Sequence, residues 1–335
     1  MATSRDVAKL AGVSQATVSR VLSGKTRVRP ETERKVLHAL EQTGYVPNGN
    51  ARAMRARRTG TLGVVTGRIT NPFYPELLDG LAQSISRRGL RMALWASDTD
   101  SGESAAVGAI QERMIDGLIF TTAAPESEAL KNALSLGLPL VLANRSLDEV
   151  RCDQVTTDNF DGGRTVARYF LSAGHERVAV VGGLESVSTS RDRFAGFLRG
   201  CADRGIEVPP PMRAACEFTH DDALQVGREL LAGDDRPTAV FCVGDVIAIG
   251  LLDAAIELGL RVPDDLWVVG YDAIPMTGWK VVDLTSVSQP IATIAETAVE
   301  TLLRRIESPE TPFEHRRFNA ELVVRGSTAN HPFRR

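Results

Sequence analysis

At 335 residues, with 43% apolar and 24% charged side chains, the chain is long enough for two or three domains and apolar enough to bury a sizeable core. It opens with no apolar leader and contains no run of about eighteen apolar residues, which argues against export or a membrane span. Cys152, Cys201, Cys216 and Cys242 are scattered without a CxxC pair, so a disulfide framework is disfavoured and a cytoplasmic protein with reduced thiols is expected.

The net charge is only −3, but it is unevenly spread: residues 1–60 hold twelve Lys/Arg against four Asp/Glu, net +8, leaving −11 on the remaining 275. A basic head on an acidic body points to a polyanion partner at the head alone. Thr3 to Ala11 reads as a short helix, with Thr3 as the cap, Asp6 completing a capping box, and Val7, Ala8, Leu10 and Ala11 as the buried face. Gly12-Val13-Ser14 is a tight corner in which glycine takes the left-handed turn and Ser14 caps the next helix. Gln15 to Leu22 forms that second helix, which turns Val18, Val21 and Leu22 inward and leaves Gln15, Ala16, Thr17 and Arg20 outside. This arrangement matches the helix-turn-helix geometry that lays a recognition helix in the major groove. The predicted DNA contacts here are Ser4, Ser14, Gln15, Ala16, Thr17 and Arg20. A purely structural hairpin has no need of so small and polar an outer face.

Ser23-Gly24-Lys25-Thr26 suggests a phosphate loop, but the full pattern needs a glycine five residues before Gly24, where Ser19 stands. Arg27 and Arg29 fit DNA phosphates better. Pro30 opens a third helix through Val36, Leu37 and Leu40, which ends at Gly44. The stretch 49–58 is too short, too charged and too poor in apolar residues to hold a helix alone. It reads as a linker that orders on binding, with Asn48 to cap it, Arg52, Arg55, Arg57 and Arg58 for phosphates, and Met54 as its one large apolar side chain.

Asp6-Val7-Ala8, Gly12-Val13-Ser14, Thr17 to Leu22, Gly44 to Asn48 and Ala51-Arg52 together resemble the LacI/GalR family of bacterial repressors. The resemblance implies a homodimer on a pseudo-palindromic double-stranded operator. The linker would form a hinge helix that pairs with its mate in the minor groove, with Asn48, Ala51, Arg52 and Arg55 at the DNA and Met54 wedged into the central base step, where leucine is more usual.

From Thr61 onward, apolar runs alternate with helical stretches. The runs are Leu62–Val65, Met92–Trp95, Gly117–Phe120, Leu138–Ala143, Val178–Val181, Ala239–Val243 and Leu266–Val269. The pattern demands parallel strands with helical crossovers, and about ten such units exceed one ordinary sheet. The expected fold is therefore an all-α helix-turn-helix head followed by an α/β core of two doubly wound parallel-sheet lobes. The resemblance adds that these lobes are like those of periplasmic sugar-binding proteins. It places the head at 1–46, the linker at 47–59 and the core at 60–335. One lobe would hold 60–160 and 291–322, the other 161–289 and 323–328, with three crossings between them.

Ligands of doubly wound sheets meet the carboxyl ends of strands, so the loops after the strands are the candidate site. The resemblance to sugar-binding relatives assigns the effector to Asn71, Phe73, Tyr74, Asn144, Arg145, Asp158, Arg193, Phe218, Asp272 and Gln289. Asn, Asp and Arg would read hydroxyls while the aromatic rings cover the sugar's apolar faces. Two positions depart from pentose-binding relatives: Asn144 stands where aspartate is usual before the arginine, and Gly244 where asparagine often precedes the aspartate. These departures suggest a larger or more anionic ligand, such as a hexose, sugar acid or sugar phosphate. Trp279 fits either the pocket mouth or the packing of the distal lobe.

Catalysis is not expected. No GxSxG, HExxH or paired Cys/His set occurs, Gly182-Gly183 lacks the third glycine of a dinucleotide loop, and the five histidines are isolated and read as surface residues. No cofactor or metal is anticipated. The alternatives are a purine-type corepressor-dependent repressor and a solute-binding protein without a regulatory role. After Arg325 only ten mostly polar residues follow, with no heptad to join dimers into a tetramer.

Overall fold

The computed structural model describes residues 2–23, 28–45, 58–97, 100–148 and 150–328. The predicted DNA contacts Arg27, Asn48, Ala51, Arg52, Met54 and Arg55 lie outside the described residues. The chain divides into two compact units, Met1–Thr59 and Gly60–Arg335.

In the first unit, α1 (Ser4–Ala11), α2 (Gln15–Ser23) and α3 (Pro30–Thr43) enclose Val7, Ala8, Ala11, Val18, Val36 and Ala39. The capping box is present: Asp6 N donates to Thr3 Oγ1 at 3.4 Å and Thr3 N to Asp6 Oδ2 at 2.8 Å. Gly12 takes φ +66°, and the Ser14 hydroxyl accepts from Thr17 N at 3.1 Å to start α2. Leu10 corrects the expected buried face, since it is 53% exposed; Val7, Ala8 and Ala11 already fill the side of α1 that meets the other helices.

In the second unit the elements run β1 (Thr61–Thr66), α4 (Phe73–Arg87), β2 (Arg91–Ala96), α5 (Asp100–Gln111), β3 (Gly117–Phe120), α6 (Glu128–Ser135), β4 (Leu140–Ala143) and β5 (Asp153–Thr157). Next come α7 (Asn159–Ser172), β6 (Val178–Gly182), α8 (Ser188–Ala202), β7 (Arg213–Ala215), α9 (His220–Leu230), β8 (Ala239–Cys242), α10 (Asp245–Glu257), β9 (Trp267–Asp272) and β10 (Thr285–Ser288). The last are α11 (Ile291–Glu307), β11 (His315–Phe318) and β12 (Glu321–Val323). They build two six-stranded sheets, ordered β11-β5-β4-β3-β1-β2 and β12-β10-β9-β8-β6-β7. Central strands such as Val178–Gly182 and Ala239–Cys242 are buried throughout, as strands covered by helices on both faces must be.

The chain passes between the sheets three times: after β5, after β10 and between β11 and β12. The last passage falls between Phe318 and Glu321, earlier than the expected boundary at 322, because β12 pairs with β10. That pairing is antiparallel, the one departure from the expected parallel pattern among the described strands.

A buried ionic node fixes the end of α11 on the first sheet. Asp153 has no exposed surface; it takes Arg305 Nε at 2.7 Å, Arg304 Nη2 at 3.0 Å and Glu314 N at 2.9 Å. Arg305 also donates to the carbonyls of Pro309, Thr311 and Pro312 and stacks over Phe313. Asp153→Ala would leave the buried Arg305 without its carboxylate partner, so a loss of about 3–5 kcal/mol in urea unfolding is expected.

His175 corrects the reading of the histidines as surface groups. It is 1% exposed, bonds Thr238 Oγ1 at 2.9 Å and packs on Trp267. Burial pushes its imidazole down to about 4, so the folded state holds it neutral where the unfolded chain protonates it. Stability is therefore present above about pH 6.5 and lost as pH falls toward 4, by at most about 1.4 kcal/mol per unit. Urea midpoints between these values should fall more steeply for the wild type than for His175→Gln.

Candidate functional site

Two surfaces carry chemistry. In the head, Gln15, Ala16 and Arg20 of α2 are exposed, and Thr17 is half-buried. The Gln15 amide donates to Ser4 Oγ at 3.2 Å, and the Ser14 and Thr17 hydroxyls lie 2.9 Å apart, which joins the first turns of α1 and α2 into one polar edge. This edge has donors and acceptors at the amino end of α2, and the Arg20 guanidinium stands exposed in its last turn, a combination that meets base edges and phosphates.

The core holds a cleft of about 440 Å³ between the carboxyl ends of its two sheets. After β1, Asn71 Oδ1 accepts from Phe73 N at 3.1 Å and starts α4, which sets Phe73 and Tyr74 edge-to-face, 5.5 Å between ring centres. A Cβ at Gly67 would come within 2.6 Å of the Tyr74 ring, so glycine is what lets the ring lie against the strand end. After β4, Asn144 turns the chain at φ +74° and donates its amide to Thr121 O at 3.4 Å, leaving its Oδ1 buried without a partner. The Arg145 Nη2 donates to the Tyr74 hydroxyl at 3.1 Å, while its Nε and the Thr122 Oγ1 are also buried without partners. Buried polar atoms are costly to leave unmet, and all three belong to residues that line the cleft.

On the opposite wall, Arg193 is 2% exposed. Its Nε donates to Asn159 Oδ1 at 2.8 Å, and its Nη1 to Val243 O at 2.8 Å and Asp272 Oδ1 at 3.0 Å, with the guanidinium 3.7 Å over Tyr271. Asp272, itself at φ +107°, also accepts from Gln289 Nε2 at 2.7 Å. Burial raises the Asp272 carboxyl while Arg193 opposes the rise. Asp245 behind it is raised well above the carboxylate range by burial and by Asp272. The absence of a side chain at Gly244 has a packing cause: a Cβ there would meet the Phe218 ring at 2.8 Å, and one at Gly183 would meet it at 2.2 Å. Phe218 fills the space that asparagine would need.

Asn71, Phe73, Tyr74, Asn144, Arg145, Arg193, Phe218 and Asp272 line this one cleft. Two expected residues do not. Asp158 caps α7, accepting from Asp161 N at 2.9 Å. Gln289 sits behind Asp272, accepting from Thr157 Oγ1 at 2.7 Å. Trp279 is 56% exposed and lies away from the lining. Arg68, Ser97, Glu103, Thr122, Glu126, Ser127, Thr189 and Glu217 also face the cleft and were not anticipated. The ends of β2 and β3 would have pointed to several of them. With them the walls carry the carboxylates of Glu103, Glu126, Glu217 and Asp272 against the guanidinium groups of Arg68, Arg145 and Arg193. Outside the lining, Ser146 N donates to Ser188 Oγ at 3.0 Å and Arg191 pairs with Asp148 at 3.1 Å, joining the two sheets' loops directly.

Residues 3–48 match the family described as bacterial regulatory proteins, lacI family, and residues 167–328 match a periplasmic binding protein-like domain. The chain is 31% identical over 329 residues to the HTH-type transcriptional repressor PurR of Photobacterium profundum, covering 98% of this chain and 98% of that protein. The chain belongs to the LacI family of bacterial regulatory proteins. The ribose operon repressor of Haemophilus influenzae is another relative of this LacI-family chain, 29% identical over 98% of each. A solved complex of the transcriptional regulator CelR with cellobiose matches with a TM-score of 0.76 and 28% identity, over 98% of this chain and all of that one. This LacI-family chain is thus a DNA-binding transcriptional regulator. Among the described residues no helix is long and apolar enough to cross a membrane, and no group of His, Cys, Asp and Glu is arranged to hold a metal ion.

Within the cleft of this LacI-family regulator, Arg193 neutralises buried carboxylates. Arg193→Ala should destabilise the free protein by about 3–5 kcal/mol near neutral pH. Both carboxyls, already raised in the folded chain, would then titrate higher still, so the deficit should shrink as pH falls and they take up protons. Urea unfolding at two pH values checks this.

Proposed function

We propose that this chain is a homodimeric repressor whose affinity for a pseudo-palindromic operator is set by a carbohydrate bound in the cleft. The observation that carries the reading is the set of buried, unpartnered polar atoms, Asn144 Oδ1, Arg145 Nε and Thr122 Oγ1, beside the rings of Phe73, Tyr74 and Phe218. A polyol supplies both complements: hydroxyls that donate and accept, and C–H faces that lie on aromatic rings. The relatives named for ribose and seen with cellobiose agree with it.

In this mechanism Gln15, Ala16, Thr17 and Arg20 read one half-site, with Ser4 and Ser14 at the adjoining backbone, and Asn48, Ala51, Arg52, Met54 and Arg55 serve the centre of the operator. Ligand in the cleft changes the angle between lobes that three crossings connect. A coupling of about 1–3 kcal/mol then shifts operator affinity by about 5- to 150-fold. No catalytic step is assigned. A thermal-shift panel of sugars and purines on the free protein tests the ligand class, because a ligand of the native state raises the melting temperature with its affinity. A response to sugars, followed by an operator affinity that changes with the hit, is expected. A response to purines alone contradicts the carbohydrate reading.

Arg20→Ala tests the head. Discrimination among operator variants should fall by about 1–3 kcal/mol if Arg20 reads a base. Binding that weakens equally on all sequences would confine it to phosphate contact.

A further inference from the structure

The first lobe's wall of the cleft is wider than one sugar ring requires. Residues after β2 (Ser97, Glu103), β1 (Asn71, Tyr74), β3 (Thr122, Ser127) and β4 (Asn144, Arg145) all line it. These four strands are adjacent, in the order β4-β3-β1-β2. Three strand spacings of about 4.8 Å make this wall roughly 14 Å across. β2 is the edge strand of this set, and Glu103 lies on the helix that follows it.

Glu103 is 8% exposed and lines the cleft at the start of α5, and among the described residues no cation forms an ion pair with it. It is held by Ser127, whose hydroxyl donates to Glu103 Oε2 and at the same time accepts from Leu130 N at 3.0 Å to cap α6. The helix cap thereby fixes the direction of the serine proton, and the carboxylate remains an acceptor toward the cleft. Thr122, at the end of β3, is 5% exposed and lines the same cleft, and its buried hydroxyl has no partner. An acceptor-rich, desolvated patch of this kind takes a group that donates hydrogen bonds and repels an anion.

Resting on the carbohydrate reading above, we propose that Glu103 is a specificity-determining residue of a second sugar subsite. The effector is then an uncharged glycoside of at least two sugar units, whose outer unit donates hydroxyl protons to Glu103 and meets Thr122. Hexuronates and sugar phosphates are excluded from this end of the cleft. This narrows the ligand away from the anions that Asn144 and Gly244 had suggested from the sequence.

The test uses the full-length protein and three sets of probes: neutral monosaccharides (glucose, galactose), neutral disaccharides (cellobiose, lactose, maltose, sucrose) and anionic sugars (glucuronate, cellobionate, glucose 6-phosphate). Thermal shift selects hits and calorimetry measures their affinities. At least one disaccharide should bind tenfold or more tightly than its component monosaccharide. Glu103→Gln, which retains the contact with Ser127, should cost that disaccharide at least tenfold and the monosaccharide less than twofold. Thr122→Val, similar in shape, should weaken the disaccharide several-fold and reads the same subsite without touching the carboxylate. Unchanged disaccharide affinity in either folded variant overturns the subsite, as does tighter binding of an anionic sugar than of its neutral counterpart. Monosaccharide binding with no disaccharide binding overturns it too, while leaving the carbohydrate reading in place. A protein that responds to no carbohydrate in the panel overturns that reading itself.

Discussion

The core depends on one buried cation. Arg193 is enclosed, yet every bond it makes leads somewhere that matters: to Asn159 where the chain first passes between the lobes, to the carbonyl of Val243 at the end of β8, and to Asp272 in the cleft. Asp272 continues through Gln289, at the second passage, to Thr157 at the end of β5 on the other sheet. A continuous hydrogen-bonded chain therefore runs from the cleft wall to two of the three crossings. The charge is strong enough to hold it together because the dielectric around it is low, and leaving any member unpaired is correspondingly costly. A ligand that draws on Asp272 or Arg193 must disturb groups that also set the joints.

This places the proposed regulation in a physical frame. The two lobes are also tied at the cleft edge by the partly buried Ser146–Ser188 bond and by the exposed Asp148–Arg191 pair. An exposed ion pair is worth little, about 1 kcal/mol or less, whereas the buried chain behind Arg193 is stiff. Lobes held weakly at the rim and firmly at the hinge can change angle at small cost, which is what a coupling of a few kcal/mol requires.

Much of this was legible in the sequence because it rests on local rules. The Thr3–Asp6 capping box, the Gly12 corner and the alternation of apolar runs with helices each follow from near-neighbour chemistry. The cleft residues Arg145, Arg193 and Asp272 follow from strand ends and the family resemblance. What escaped were facts about space rather than about chain order. The Phe218 ring packed against Gly183 and Gly244 explains an apparent loss of specificity at position 244, and no spacing rule reveals it. Asp158 and Gln289 stand beside cleft residues in the chain, yet a cap and a bridge absorb them. Glu103 and Thr122 stand in segments without the arginine or asparagine that signal a sugar site, although the ends of β2 and β3 border the same cleft. His175 looked like a surface residue until Trp267 and Phe170 enclosed it.

Linkage supplies the most direct measurement of the central claim, that the cleft and the reading head share one free energy. The affinity of the carbohydrate ligand is measured on the free protein and on the protein saturated with operator, at one salt concentration. The account predicts that these differ by the factor, about 5- to 150-fold, by which the ligand changes operator affinity, because coupling between binding sites is reciprocal. Equal ligand affinities in the two states would contradict it.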